Sequence, residues 1–200
     1  RAGAVAYFFL DCSPACGGYR TTLKATKRGQ PPGIFGSLLL DQGYFLIPAA
    51  DLQSPLRWWD WRRRLLAFYW LKNLQITGKA GLYDTWARLK FLFQELDNPW
   101  APQMGRRLAR MEGQPDEVFV DEFKTQALDI LRKPSTTKRI TNSLWKNYSY
   151  YRKRMGKTVE GINTPDFQRN ITTIAKELVT MERKALDDQV RFGTSPVMYR

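Results

Sequence analysis

The chain has 200 residues, 43% of them hydrophobic, and a formal net charge of +13. That length suits one domain with tails or one domain plus a small module, and the hydrophobic share supports a core. There is no His and there are only two Cys, Cys12 and Cys16, which excludes a His base, a four-ligand zinc site and a disulfide-built scaffold.

The aromatic load is heavy, with 7 Trp, 9 Tyr and 11 Phe. Each large aromatic buries on the order of 150–250 Å², so part of this surface is expected against partners. A charge of +13 repels itself in a free monomer and is better tolerated beside a polyanion, which points to nucleic acid or an anionic membrane. The chain opens at Arg1, which reads as a processed or trimmed product. The apolar runs 4–10 and 34–50 are too short or too interrupted to match the roughly 20 residues of a spanning helix.

Residues 1–53 carry repeated Gly and Pro, among them Pro14, Gly17, Gly18, Pro31, Pro32, Gly33 and Gly36. This punctuation predicts an extended arm with apolar anchors at Phe35, Leu38 and Tyr44. Cys12 and Cys16 lie within it; one disulfide or two free thiols both fit their spacing.

From Ser54 the pattern turns helical. Ser54-Pro55 is a cap followed by Pro at the first helical position, where the missing N–H is harmless. The first helix is expected to run to about Gln75. The second, about Leu82 to Leu96, carries a seam of Leu82, Trp86, Leu89, Phe93 and Leu96 at steps of 4 and 3. A short helix follows at about Gln103 to Met111, and the next runs from Asp116 to Leu131, acidic early and basic late, as the helix dipole favours. Another spans about Thr136 to Met155, with Ile140, Leu144, Tyr148 and Tyr151 on one face and Gly156 at its end. The last long helix is expected to open at Thr164-Pro165-Asp166 and to carry Phe167, Ile171, Ile174, Leu178 and Met181. The expected fold is therefore all-α, five or six helices in an irregular bundle with an extended N-terminal arm. Its parts are an arm over 1–53, a helical domain over 54–188 and a C-terminal tail over 189–200.

Two segments stand out for function. The first, Arg57-Trp58-Trp59-Asp60-Trp61-Arg62-Arg63-Arg64, runs into Leu65-Leu66-Ala67-Phe68-Tyr69-Trp70-Leu71. Three roles fit it: a core helix with its Arg residues at a solvated end, a protein or RNA interface, or a membrane surface with Trp58, Trp59 and Trp61 at headgroup depth. The second runs from Arg132 to Lys157 and contains no Asp or Glu. Its cations include Lys138, Arg139, Lys146, Arg152, Lys153, Arg154 and Lys157, interleaved with Trp145, Tyr148, Tyr150 and Tyr151. A solvated helix normally mixes signs, so this stretch points to an anionic partner. The candidate anion-binding set is those seven residues with Arg62, Arg63 and Arg64. No nucleotide-loop, dinucleotide, zinc-protease or nucleophile-elbow motif is present, so neither catalysis nor a cofactor is expected.

From Pro31-Pro32 to about Leu108, the order of a Pro lead-in, the basic segment Arg57 to Leu74 and the seam Leu82-Trp86-Leu89-Phe93 resembles the mitochondrial ribosome-receptor family, large-subunit ribosomal proteins related to the import-motor membrane anchor. The resemblance implies a location in the mitochondrial matrix or at the matrix face of the inner membrane. That family continues into a curved β-sheet, whereas residues 116–188 here read as helix. The expected function is a structural, non-catalytic subunit of a mitochondrial ribosome, holding rRNA and neighbouring proteins and with no small-molecule substrate. The alternative is an accessory subunit of an inner-membrane respiratory complex or ATP synthase, in peripheral contact with anionic lipid.

Overall fold

A computed structural model of the chain describes residues 3–10, 13–18, 32–163 and 169–199. The chain divides into two compact units, residues 1–61 and 62–200. It is mostly helical, with eight α-helices and one two-stranded sheet among the described residues.

The first unit is not the open arm that its Gly and Pro content predicts. β1 (Ala6–Phe9), α1 (Ile34–Asp41) and β2 (Phe45–Pro48) follow in order, and the two strands pair in parallel with Phe8 opposite Ile47. Phe9, Leu39 and Leu46 form its small core, flanked by Tyr7, Leu40 and Tyr44. The glycines serve close packing rather than disorder. A Cβ on Gly33 would lie 2.6 Å from the Ala15 carbonyl, and one on Gly36 would overlap the Gly17 carbonyl. The backbone is stapled at the same place, where the N–H groups of Gly33 and Phe35 donate to the carbonyls of Gly17 and Ala15. Those bonds occupy two amides at the start of α1 that would otherwise attract an anion. Cys16 is half-buried there; Cys12 lies outside the described residues. A 3-10 helix, Ala49–Gln53, then leads to α2, Pro55–Asn73, with Pro at its first position as expected.

In the second unit, α3 (Gly78–Leu96) is central and packs against α4 (Trp100–Ala109), α5 (Glu117–Arg132) and α6 (Thr137–Met155). The seam of α3 faces inward: Leu82, Leu89, Phe93 and Leu96 are buried. Trp86 is half-buried against the cluster of Leu82, Met104, Leu108 and Phe123. Asp116 caps α5 by accepting from the Phe119 N–H at 2.7 Å, and Thr136 caps α6 by accepting from the Arg139 N–H at 3.2 Å. Gly156 ends α6 in the left-handed region at φ 63°, a conformation glycine takes without a Cβ clash.

Two expectations change here. The last long helix, α7, is Ile171–Asp187, capped by the Asn170 side chain, and Ile171 is exposed rather than inside. The expected start at Thr164-Pro165-Asp166, and Phe167, lie outside the described residues. Residues 189–199 are no loose tail. Val190, Phe192, Ser195 and Pro196 are buried, and a one-turn helix, α8 (Ser195–Met198), packs on α3 and α7. Glu182 accepts from the Thr194 N–H at 2.6 Å, and Arg88 donates to the carbonyls of Pro196 at 3.0 Å and Tyr199 at 3.2 Å. The curved β-sheet of the family named above has no counterpart among the described residues of 78–199, where every regular element is a helix.

Candidate nucleic-acid interface

α6 separates its residues cleanly by character. Ile140, Leu144, Asn147, Tyr148 and Tyr151 are buried, while Lys138, Arg139, Lys146, Arg152, Lys153 and Arg154 are exposed, with Lys157 exposed just beyond the helix end. Among the described residues none of these seven cations forms an ion pair. Arg139, Asn142, Lys146, Tyr150 and Lys153 follow at steps of 3, 4, 4 and 3, so they share one helix face. The acids sit elsewhere: α5 alone carries Glu117, Asp121, Glu122 and Asp129.

That face borders a cavity of about 260 Å³ between α3 and α6. Its rim is made by the exposed side chains of Gln94, Asn98, Arg139, Asn142 and Lys146. Its deeper wall holds Phe91, Glu95, Ser143 and Asn147. The Arg139 guanidinium also lies 3.4 Å from the Leu96 carbonyl, at the end of α3, where a cation complements the helix dipole. Phe91 is flanked by the Tyr150 ring, at 5.8 Å between centroids, and by Lys90, whose Nζ is 5.0 Å from its centroid. Asn147 is fixed by donating Nδ2–H to the Ser143 carbonyl at 2.8 Å.

The one carboxylate in the cavity wall is neutralised. Glu95 accepts two hydrogen bonds from Arg63, one at 2.9 Å, and a third from the Ser135 hydroxyl at 2.6 Å. Arg139 and Lys146 therefore set the sign of the cavity. Near its edge, Asp97 accepts from Lys133 Nζ at 2.7 Å, and that bond holds its carboxyl below the ordinary range against the opposing effect of burial, with the Trp100 N–H adding to the lowering.

The structure distributes the expected site residues unequally. The seven of the acid-free stretch come together on and around one exposed face. Arg63 and Arg64 do not join them: both are buried, Arg63 against Glu95 and Arg64 donating to the Leu131 carbonyl at 3.0 Å. Arg62 is half-exposed and pairs with the buried Glu182. Of these three, only Arg62 keeps part of its side chain in solvent. The Trp row is also split, because Trp58 is 47% exposed whereas Trp59 and Trp61 are 2% and 1% exposed. Trp61 donates Nε1–H to Asp51 at 2.7 Å and meets Phe45 edge-on. The amide side chains of the cavity, Gln94, Asn98, Asn142 and Asn147, are not among the binding residues expected from sequence, since isolated Asn and Gln give no spacing signal for a ligand.

No family model, no curated protein and no solved structure matches this chain.

Proposed function

We propose that this chain is a non-catalytic, RNA-holding structural subunit of a ribonucleoprotein, with the mitochondrial ribosome as the assembly and rRNA on the exposed face of α6. The observation that carries the proposal is the set of seven exposed cations between Lys138 and Lys157, none of which forms an ion pair within 4.0 Å among the described residues. Like charges crowded on one face repel each other in the free protein and are relieved by a polyanion. A lipid surface fits this face less well. An interfacial helix inserts apolar residues beside its cations, and on α6 the one exposed large hydrophobic residue is Tyr150. No described helix is long and apolar enough to cross a membrane. Neighbouring proteins are proposed for the exposed apolar side chains of α1, Ile34, Phe35 and Leu38.

The test is sedimentation of the tagged chain from lysed mitochondria, followed by identification of what travels with it. Co-sedimentation with rRNA that is lost on nuclease treatment supports the proposal. Sedimentation with respiratory-complex subunits, unaffected by nuclease, would move the assignment to the membrane alternative.

A further inference from the structure

We infer that the cavity between α3 and α6 takes one unstacked nucleotide of a single-stranded RNA, with its base among the amide side chains and its phosphate on Arg139 and Lys146. The inference rests on the RNA assignment above and specifies it.

The chemistry of the wall selects this ligand class. Asn98, Asn142 and Gln94 each carry both a donor and an acceptor at the exposed rim, which is what the edge of a nucleobase requires. A simple anion needs cations and N–H donors but has no donor of its own for several amide carbonyls. Arg139 and Lys146 bring two charges to the same rim, and no uncompensated carboxylate opposes a phosphate because Glu95 is held by Arg63 and Ser135. Phe91 in the wall, with the exposed Tyr150 ring beside it, offers an aromatic surface for an unpaired base. The volume of about 260 Å³ falls just below the range of roughly 300–1,000 Å³ for drug-sized ligands, which suits one nucleotide unit. A duplex cannot use the site, because its base edges are paired and its deep groove is closed to side chains.

The experiment measures fluorescence anisotropy of the full chain with labelled ten-nucleotide RNA homopolymers of each base and a duplex of equal length, at two salt concentrations. Single strands are expected to bind with about tenfold or greater spread among the four bases, the scale of one good bidentate base contact. The Asn98→Ala/Asn142→Ala double variant, changed at two exposed positions, is expected to compress that spread to about twofold with an unchanged salt slope, since no phosphate contact is lost. A 4-thiouridine crosslink is expected at Phe91 or Tyr150. Base-blind binding, or a spread that survives in the double variant, would overturn the cavity assignment and leave the RNA face standing. Free nucleoside monophosphates binding as tightly as the oligomers would reassign the cavity to small nucleotides. Absence of RNA binding altogether would remove both the cavity assignment and the proposed function.

Discussion

Arg63 and Glu95 form a two-bond ion pair inside the helical unit, one residue on α2 and the other in the last turn of α3, with both side chains 3% exposed. Removing one partner strands a buried charge. Arg63→Met is therefore expected to destabilise the fold by about 3–5 kcal/mol, whereas Arg63→Met/Glu95→Leu is expected to recover most of that loss. Urea unfolding of the three proteins checks it. A double variant as unstable as the single one would show that the pair itself, rather than charge compensation, holds α2 to α3.

The seven exposed cations of α6 and its end lead to a salt-dependence prediction. Arg152, Lys153 and Arg154 lie off the buried seam, so reversing all three to Glu is expected to leave the fold intact. Binding to single-stranded RNA should weaken, and the slope of log K against log salt should fall by about 2, near 0.7 per lost phosphate contact. An unchanged slope would mean that RNA contacts these residues nowhere.

Tyr151 and Asp188 give a pH prediction with two arms. The Tyr151 hydroxyl donates to Asp188 at 2.6 Å. That bond, with help from Lys184 and Lys157, holds the Asp188 carboxyl below its usual range despite desolvation. Burial chiefly, then the Asp188 bond and charge, pushes the Tyr151 hydroxyl up to about 12. A lowered carboxyl adds stability above its unfolded value near 4 that is lost as pH falls through its folded value. A raised phenol adds stability that is complete below about pH 10 and is lost as pH rises through its folded value. Tyr151→Phe should cost about 1 kcal/mol near neutrality, and its deficit relative to wild type should shrink both below about pH 4 and above about pH 10. Denaturant midpoints across the pH range measure this; a constant deficit would sink the coupling.

Trp58, Trp59 and Trp61, in the first half of α2, separate by burial. Trp58→Ser should leave stability unchanged, whereas Trp61→Ser empties a buried site and loses the Asp51 bond, at about 3–5 kcal/mol. Thermal unfolding distinguishes them. The same pair tests lipid binding, because Trp58 alone of the three is exposed: release of the folded Trp58→Ser protein from anionic liposomes would favour the membrane alternative.

Gly36→Ala places a Cβ against the Gly17 carbonyl, a backbone atom that cannot swing aside. A loss of about 1–3 kcal/mol is expected, as for other overpacked sites, with the 13–18 loop becoming the first point of proteolytic cleavage. Unaltered stability and cleavage would show that the loop and α1 separate freely.

The helices of residues 54–155 were legible because their apolar steps of 3 and 4, the cap and Pro of Ser54-Pro55, the acid-to-base order of 116–132 and the Gly156 stop each act locally. The first unit was not, because its strands are four residues long and the glycines that look like breakers are sites where backbone meets backbone. Arg63 and Arg64, expected among the anion-binding residues, are buried instead, because their partners lie 32 and 67 residues away, which no local spacing encodes. The acid-free run of α6 was visible as composition, while the amide-lined cavity depends on α3 and α6 meeting, which spacing along either helix does not encode.

Arg88 holds the carbonyls of Pro196 and Tyr199, 108 and 111 residues further along the chain. Closure over that distance carries an entropic cost that local helix formation does not, so the docking of α8 is expected after the intervening helices have packed. Until then the side of α3 that α8 covers stands open to water. A chain lacking α8 would leave that side of α3 uncovered, and Arg88→Gln, which removes the donor to both carbonyls, is expected to slow the final phase of refolding.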